Sequence, residues 1–268
     1  MLVATGVLAG LGLLSGLGLG LAARVFAVER DPRQERIADL LPGANCGGCG
    51  LAGCADFAGA VVTGKAAVDG CPVGGAETAR AVAALMGEAL VERERRVALI
   101  HCQGGDDIAV RKYRYNGVAS CAAAAALAAG PKRCEQGCVG LADCQDACGF
   151  QAIEILPTGI ARVIPERCTA CGRCVDACPQ GLIELVPASA RVHVLCASTA
   201  RGGEARKACS AACIGCKKCE KAAPESFAVT DFLARLDYAG PPVDVDVVSL
   251  CGTGALRILD LDTPARRH

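Results

Sequence analysis

The chain opens on an unbroken apolar run. From Leu2 to Ala23 no residue carries a charge, and Leu, Gly, Ala and Val dominate. A membrane-spanning helix needs about 20 apolar residues, so the run predicts a span. No Lys or Arg precedes it, as one would in a signal peptide, and a buried core helix is rarely so long and featureless. Gly6, Gly10, Gly12, Gly16 and Gly20 supply small-xxx-small spacings for close helix packing. Arg24, Arg30, Arg33 and Arg36 follow at once, which by the positive-inside rule puts the bulk of the chain in the cytoplasm. Further on, Ala79, Val82, Ala83, Met86 and Leu90 repeat at helical spacing and predict a helix over 76–96, ending in the charge run Glu92–Arg96. Residues 97–102 read as a strand and 119–129 as an alanine-rich helix. A second strand over 192–196 opens what looks like a repeat: Cys134-x3-Cys138-x-Gly140-x3-Cys144 aligns without gaps on Cys209-x3-Cys213-x-Gly215-x3-Cys219.

Composition changes the picture in two ways. Lys and Arg number 28 against 28 Asp and Glu, a balance that argues against a nucleic-acid binder. Aromatics make up 3% and Trp is absent, while 20 of the 268 residues are Cys. A core short of large side chains needs another means of support. A reducing compartment leaves the cysteines as metal ligands rather than disulfides. Two nucleotide-like motifs fail on context. Gly18-Leu-Gly20-Leu-Ala-Ala23 follows no strand, and Gly59-Ala-Val-Val-Thr-Gly64-Lys65 is followed by Ala66 where magnesium needs a hydroxyl. No nucleotide is therefore expected on this chain.

The cysteine spacing carries the chemistry. Cys168-x2-Cys171-x2-Cys174-x3-Cys178-Pro179 is a bacterial ferredoxin run, in which three ligands wrap one cubane and the fourth serves its neighbour. A zinc site would use two pairs set far apart. The partner half is Cys134-x3-Cys138-x5-Cys144-x3-Cys148. Crossing the fourth ligands predicts one [4Fe-4S] cluster on Cys134, Cys138, Cys144 and Cys178 and another on Cys168, Cys171, Cys174 and Cys148. In the repeat, Cys213, Cys216 and Cys219 are intact, but Ala223 stands where the fourth cysteine belongs. Cys251 lies about as far beyond Cys219 as Cys178 does beyond Cys144, so these four predict a third site. The alternative is that Cys251 is a stray thiol and the site is vacant or holds three irons. Upstream, Cys46-x2-Cys49-x4-Cys54-x16-Cys71 sits among glycines that let the backbone approach a cluster, with structural zinc as the alternative. The count is thus four [4Fe-4S] clusters, or three if the Cys251 site is not filled. Cys102, Cys121, Cys196 and Cys209 are left over; they read as buried fillers, or as groups shielding or hydrogen-bonding a cluster.

Across nearly its whole length the chain resembles the B subunit of Rnf complexes, the membrane-bound ferredoxin:NAD oxidoreductases that translocate Na+ or H+. The carriers are the apolar N-terminus, Leu41-Pro-Gly-Ala-Asn-Cys-Gly-Gly-Cys-Gly with Cys54 and Cys71-Pro72, and the cysteines over 134–178. The resemblance implies an electron-entry subunit of a translocase, with no catalytic site of its own beyond electron transfer. Reduced ferredoxin, the other membrane subunits and the lipid bilayer would be its partners, and the cell (inner) membrane its location. Longer members carry further ferredoxin motifs, and this chain departs from them at Ala223 and downstream. Lys217, Lys218 and Lys221, with Arg167 and Arg173, are the candidate docking patch for an acidic ferredoxin. A competing reading is a polyferredoxin scaffold of a non-translocating reductase, and a third a zinc-binding interaction protein. The expected fold class is α+β: an N-terminal transmembrane helix over 1–26, a small Gly/Cys-rich [4Fe-4S] module over 27–96, then duplicated ferredoxin-like units with small βα elements, two-cluster over 97–190 and degenerate over 191–268.

Overall fold

A computed structural model describes residues 2–26, 31–90 and 94–262. Arg30 and the Glu92–Arg93 part of the expected charge run lie outside them. Helix α1 spans Leu2–Val25. Its described leucines, Leu11, Leu13, Leu14, Leu17, Leu19 and Leu21, are all exposed, so no other described part of the chain covers them. Among the described residues no helix is long and apolar enough to cross a membrane.

Three helices then enclose a small core. Asp31 caps α2 (Pro32–Leu40) by accepting from Arg33 N, and proline at the first turn presets the backbone. With α3 (Cys54–Val62) and α4 (Gly75–Met86) it buries Ile37, Phe57, Val61, Val82 and Ala83. The expected helix over 76–96 is thus cut short. Gly87 takes a left-handed φ of 70° and ends α4, and strand β1 (Arg96–Ile100) occupies the end of the stretch instead.

Two similar units follow. In the first, β1 pairs antiparallel with β4 (Ile183–Pro187), and β2 (Ile153–Ile155) forms a hairpin with β3 (Ala161–Val163). Between them lie the short helices α5 (Cys121–Ala125), α6 (Asp143–Asp146) and α7 (Arg173–Ala177). Helix α5 is much shorter than the alanine content suggests, because Ala128 and Ala129 adopt positive φ and turn the chain. In the second unit β5 (Val192–Val194) pairs with β8 (Leu256–Ile258), and β6 (Phe227–Thr230) with β7 (Leu233–Leu236). It also carries α8 (Gly202–Ala208), α9 (Lys218–Ala222) and a 3-10 turn over Val245–Leu250. The outer-strand pair and inner hairpin therefore occur twice. Segments from both units interleave: Val110 N donates to Ala208 O at 2.9 Å, Ser210 N to Ile108 O at 3.0 Å, and the His101 ring meets Val194 O at 2.8 Å.

Candidate metal centres

Every one of the 20 cysteines is free, and together they line five cavities, four to each. Cys46, Cys49, Cys54 and Cys71 share the first. The loop between α2 and α3 reaches it because Asn45, Gly47 and Gly50 adopt left-handed φ. Asn45 Oδ1 accepts from Cys54 N at 2.9 Å and so ties the loop to the start of α3. Burial raises the Cys71 thiol above its ordinary value, with amide hydrogen bonds from Gly74 and Val73 opposing.

Cys148, Cys168, Cys171 and Cys174 line the second cavity, in the crossed arrangement the sequence predicts. Ala98 N, on β1, donates to Cys168 Sγ at 3.4 Å, and Ala152 N to Cys148 Sγ at 3.3 Å. Such amide donors help set a cluster's potential.

The third cavity departs from expectation. Cys138, Cys144 and Cys178 line it, and their fourth companion is Cys121; Cys134 is elsewhere. The reason lies in the spacing. Cys138 and Cys144 stand as far apart as Cys168 and Cys174, but Leu141 occupies the place equivalent to Cys171. The missing thiol comes from the first residue of α5. Asp143, next to Cys144, fixes that helix start: its carboxylate accepts from Cys121 N at 2.8 Å, Ala122 N at 3.0 Å and Ser120 Oγ at 3.0 Å. Burial raises the Asp143 carboxyl, but these donors outweigh it and hold it below its usual value. Burial, helped by neighbouring thiols, pushes Cys144 and Cys174 each up to about 12. Cys174, from the second cavity, is among the thiols that raise Cys144.

Cys213, Cys216, Cys219 and Cys251 line the fourth cavity. The 3-10 turn over Val245–Leu250 ends on Cys251 just as α7 ends on Cys178. In both places the cysteine N–H bonds three residues back, and the glycine three residues on bonds the cysteine carbonyl. Cys251 thus stands in the position of Cys178, with Ala223 in that of Cys148. Burial raises the Cys251 thiol, yet hydrogen bonds from Leu256, Thr253 and Ala255 overcome it and the net shift is downward. That cradle favours a thiolate. Cys216 is exposed, and Lys217 and Lys218 stand at the rim.

Cys134 lines a fifth cavity with Cys102, Cys196 and Cys209, three of the four thiols that read as fillers. No sequence motif joins these four; the only signal is that the repeat alignment pairs Cys134 with Cys209.

The donor sets suit a polynuclear cluster. The cavities measure about 320 to 460 Å³, partly open to solvent, and each presents four thiols in largely apolar walls. Among the described residues no three His, Cys, Asp or Glu gather closely enough to hold a single metal ion.

Comparison with known proteins agrees. A family model for an Fe-S cluster matches residues 41–73, and a 4Fe-4S binding domain model matches 161–184. The chain is 44% identical over 253 residues to the B subunit of the ion-translocating oxidoreductase complex of Methanosarcina acetivorans, covering 94% of this chain and 96% of that one. It is 44% identical to the B subunit of the Na+-translocating ferredoxin:NAD+ oxidoreductase complex of Acetobacterium woodii, over 80% of this chain and 64% of that protein. It is 38% identical to the proton-translocating counterpart of Clostridium ljungdahlii, over 76% and 72%. With similarity at this level over nearly the full length of both proteins, this chain belongs to the family of B subunits of ion-translocating oxidoreductase complexes.

Proposed function

We propose that the chain is the iron–sulfur electron-transfer subunit of a membrane-bound ferredoxin:NAD oxidoreductase, taking electrons from reduced ferredoxin and passing them to membrane subunits that move Na+ or H+. The observation that carries this reading is the sorting of motif cysteines into separate four-thiol cavities placed side by side. Bound there, [4Fe-4S] clusters supply one-electron chemistry. The chain's own residues do the rest. Cys46, Cys49, Cys54 and Cys71 hold the first site; Cys148, Cys168, Cys171 and Cys174 the second; Cys121, Cys138, Cys144 and Cys178 the third; Cys213, Cys216, Cys219 and Cys251 the fourth.

Neighbouring sites touch through backbone. Gly48, in the first loop, packs so closely on Cys171 that a Cβ there would lie 2.9 Å from its carbonyl oxygen. Cys174 of the second site lies close enough to Cys144 of the third to raise its pKa. The fourth site is the outer end, where Cys216 is exposed. Lys217, Lys218 and Lys221, all exposed, present positive charge beside it, with one of them, Lys217, paired to Glu220 at 3.4 Å. Arg167 and Arg173 add charge near the second site. An acidic ferredoxin docking at the outer end would be steered by this patch.

At the other end, α1 is the anchor. What supports this is the uncharged run Leu2–Ala23 of the sequence, which has the roughly 20 apolar residues that a hydrocarbon core of about 30 Å asks for; the described part of α1 does not by itself reach the length and apolarity of a span. Its uncovered leucines match a lipid environment, and Arg24, Arg33 and Arg36 favour the cytoplasmic side for the cluster-bearing modules. The division into 1–26, 27–96, 97–190 and 191–268 follows this course from bilayer to docking end. Charge reversal by Lys217→Glu with Lys218→Glu tests the reading in the assembled complex. The association rate with reduced ferredoxin should fall at low salt and converge on the parent rate at high salt. An unchanged rate removes the docking assignment.

A further inference from the structure

We infer that Cys102, Cys134, Cys196 and Cys209 hold a fifth [4Fe-4S] cluster, lying between the two ferredoxin-like units and relaying electrons between their sites. The inference rests on reading the other four-thiol cavities as cluster sites, and deepens it. The four cysteines are distant in sequence, yet they converge on one cavity of about 360 Å³, within the range of the other four.

The sulfurs are not placed as fillers. A buried thiol that only fills space needs no hydrogen-bond donors. Here Gly104 N and Cys138 N both donate to Cys102 Sγ at 3.4 Å, while Ser198 N and Cys213 N donate to Cys196 Sγ at 3.5 and 3.3 Å. Ala98, Leu182 and Ala234 serve Cys168, Cys178 and Cys213 in the same way at the motif sites. The pattern around the cavity is also twofold. Cys102 follows β1 and Cys196 follows β5. Each takes an amide from the residue two places on, and each takes another from the first cysteine of its unit's ferredoxin loop. Cys134 and Cys209 are equivalents in the repeat. Each unit therefore contributes two thiols, and the site exists only where both units meet.

A buried cation stands in the wall. Lys132 is 2% exposed, and its Nζ donates to Gly104 O at 2.6 Å and to Gly159 O at 3.4 Å. Backbone carbonyls neutralise no charge, and a buried ammonium is costly without a facing anion. Asp106, near enough to feel Lys132, already pairs with Arg111 at 2.5 Å. Four thiolates around a [4Fe-4S] core carry a net negative charge that Lys132 would offset.

The position gives the role. Cys138, which donates to Cys102, lines the third cavity; Cys213, which donates to Cys196, lines the fourth. The fifth site thus abuts both. A cluster held by these four thiols would go from [4Fe-4S]2+ to [4Fe-4S]1+ on taking one electron from the fourth site and would return to 2+ on passing it to the third. No proton moves and no bond breaks.

The test uses the full-length chain, purified anaerobically in detergent, with iron, acid-labile sulfide and zinc measured per chain. Cys196→Ala with Cys209→Ala should lose about four irons and four sulfides relative to the parent, and adding Cys102→Ala should lose no more. After mixing with reduced ferredoxin, the fourth site of that variant should still be reduced, while reduction of the central pair slows at least tenfold. Lys132→Gln keeps all four thiols, so the iron count should hold while one reduction potential falls. Unchanged iron in the cysteine variants overturns the fifth cluster and leaves the four motif sites standing. Loss of one zinc instead of four irons overturns it too. A parent chain without iron would overturn the proposed function itself.

Discussion

Replacing Cys121 by alanine removes the proposed ligand that no contiguous motif contains, and so probes the geometry directly. The side chain is 9% exposed, and deleting one buried sulfur costs about 1 kcal/mol of packing and transfer. Against a stability on the order of 5–15 kcal/mol for a domain, the fold survives. The cluster does not, because Cys138, Cys144 and Cys178 alone leave one iron without a thiolate. Cys121→Ala should therefore lose about four irons and four sulfides per chain, and Cys138→Ala the same. Since both thiols line one cavity, the double variant should also lose about four. Cys134→Ala combined with Cys138→Ala should instead lose about eight, one cluster from each of two cavities. Leu141 packs beside Cys121 at the place equivalent to Cys171, so Leu141→Cys in the Cys121→Ala background should restore most of the missing iron. The assay is colorimetric iron and sulfide on anaerobically purified full-length protein. Full iron in Cys121→Ala, or a loss of about eight in its combination with Cys138→Ala, refutes the grouping.

Three further outcomes follow from single contacts. Gly48→Ala places a methyl 2.9 Å from Cys171 O and 3.1 Å from its Cα, so the two loops must separate; iron content should hold while electron transfer between the first and second sites slows in stopped-flow absorbance. Thr253→Val removes a hydroxyl 3.7 Å from Cys251 Sγ. Losing a weak bond of about 0.5 kcal/mol, which favours the more negative reduced state, should lower that site's potential by about 20 mV in an EPR-monitored titration; a rise would contradict the sign. His193 is fully buried between Tyr238 Oη and Ala190 O, and burial first of all lowers its pKa to about 4. Its neutral form is the native one, so its contribution is present above the unfolded value of about 6.5 and lost as pH falls toward 4. Lowering pH from 7 to 5 should cost about 2 kcal/mol in unfolding free energy, and His193→Gln should flatten that slope.

Much of this site was legible in the cysteine spacing. The run Cys168 to Cys178 places Cys148 beside Cys168, Cys171 and Cys174, and the distance from Cys219 to Cys251 anticipated a thiol in the same cavity, closing a 3-10 turn where Cys178 closes a helix. Cys121 was not legible as a companion of Cys138, Cys144 and Cys178 because it reaches their cavity from a separate helix, held by Asp143 through backbone amides that no side-chain pattern announces. Cys102, Cys196 and Cys209 were hidden for a related reason. Their site is divided between two units, and only the interleaving of Ile108–Val110 with Ala208–Ser210 brings the halves together. The helices were overextended for local reasons: Gly87 stops α4, and positive φ at Ala128 and Ala129 stops the alanine run, where propensity alone favoured continuation.

The most direct test of the whole account is iron and acid-labile sulfide per full-length chain, purified without exposure to air, with zinc measured on the same sample. Five four-thiol cavities predict about twenty irons and an equal amount of sulfide. About sixteen would withdraw the shared site and leave the four motif sites. Zinc without iron or sulfide would contradict the account.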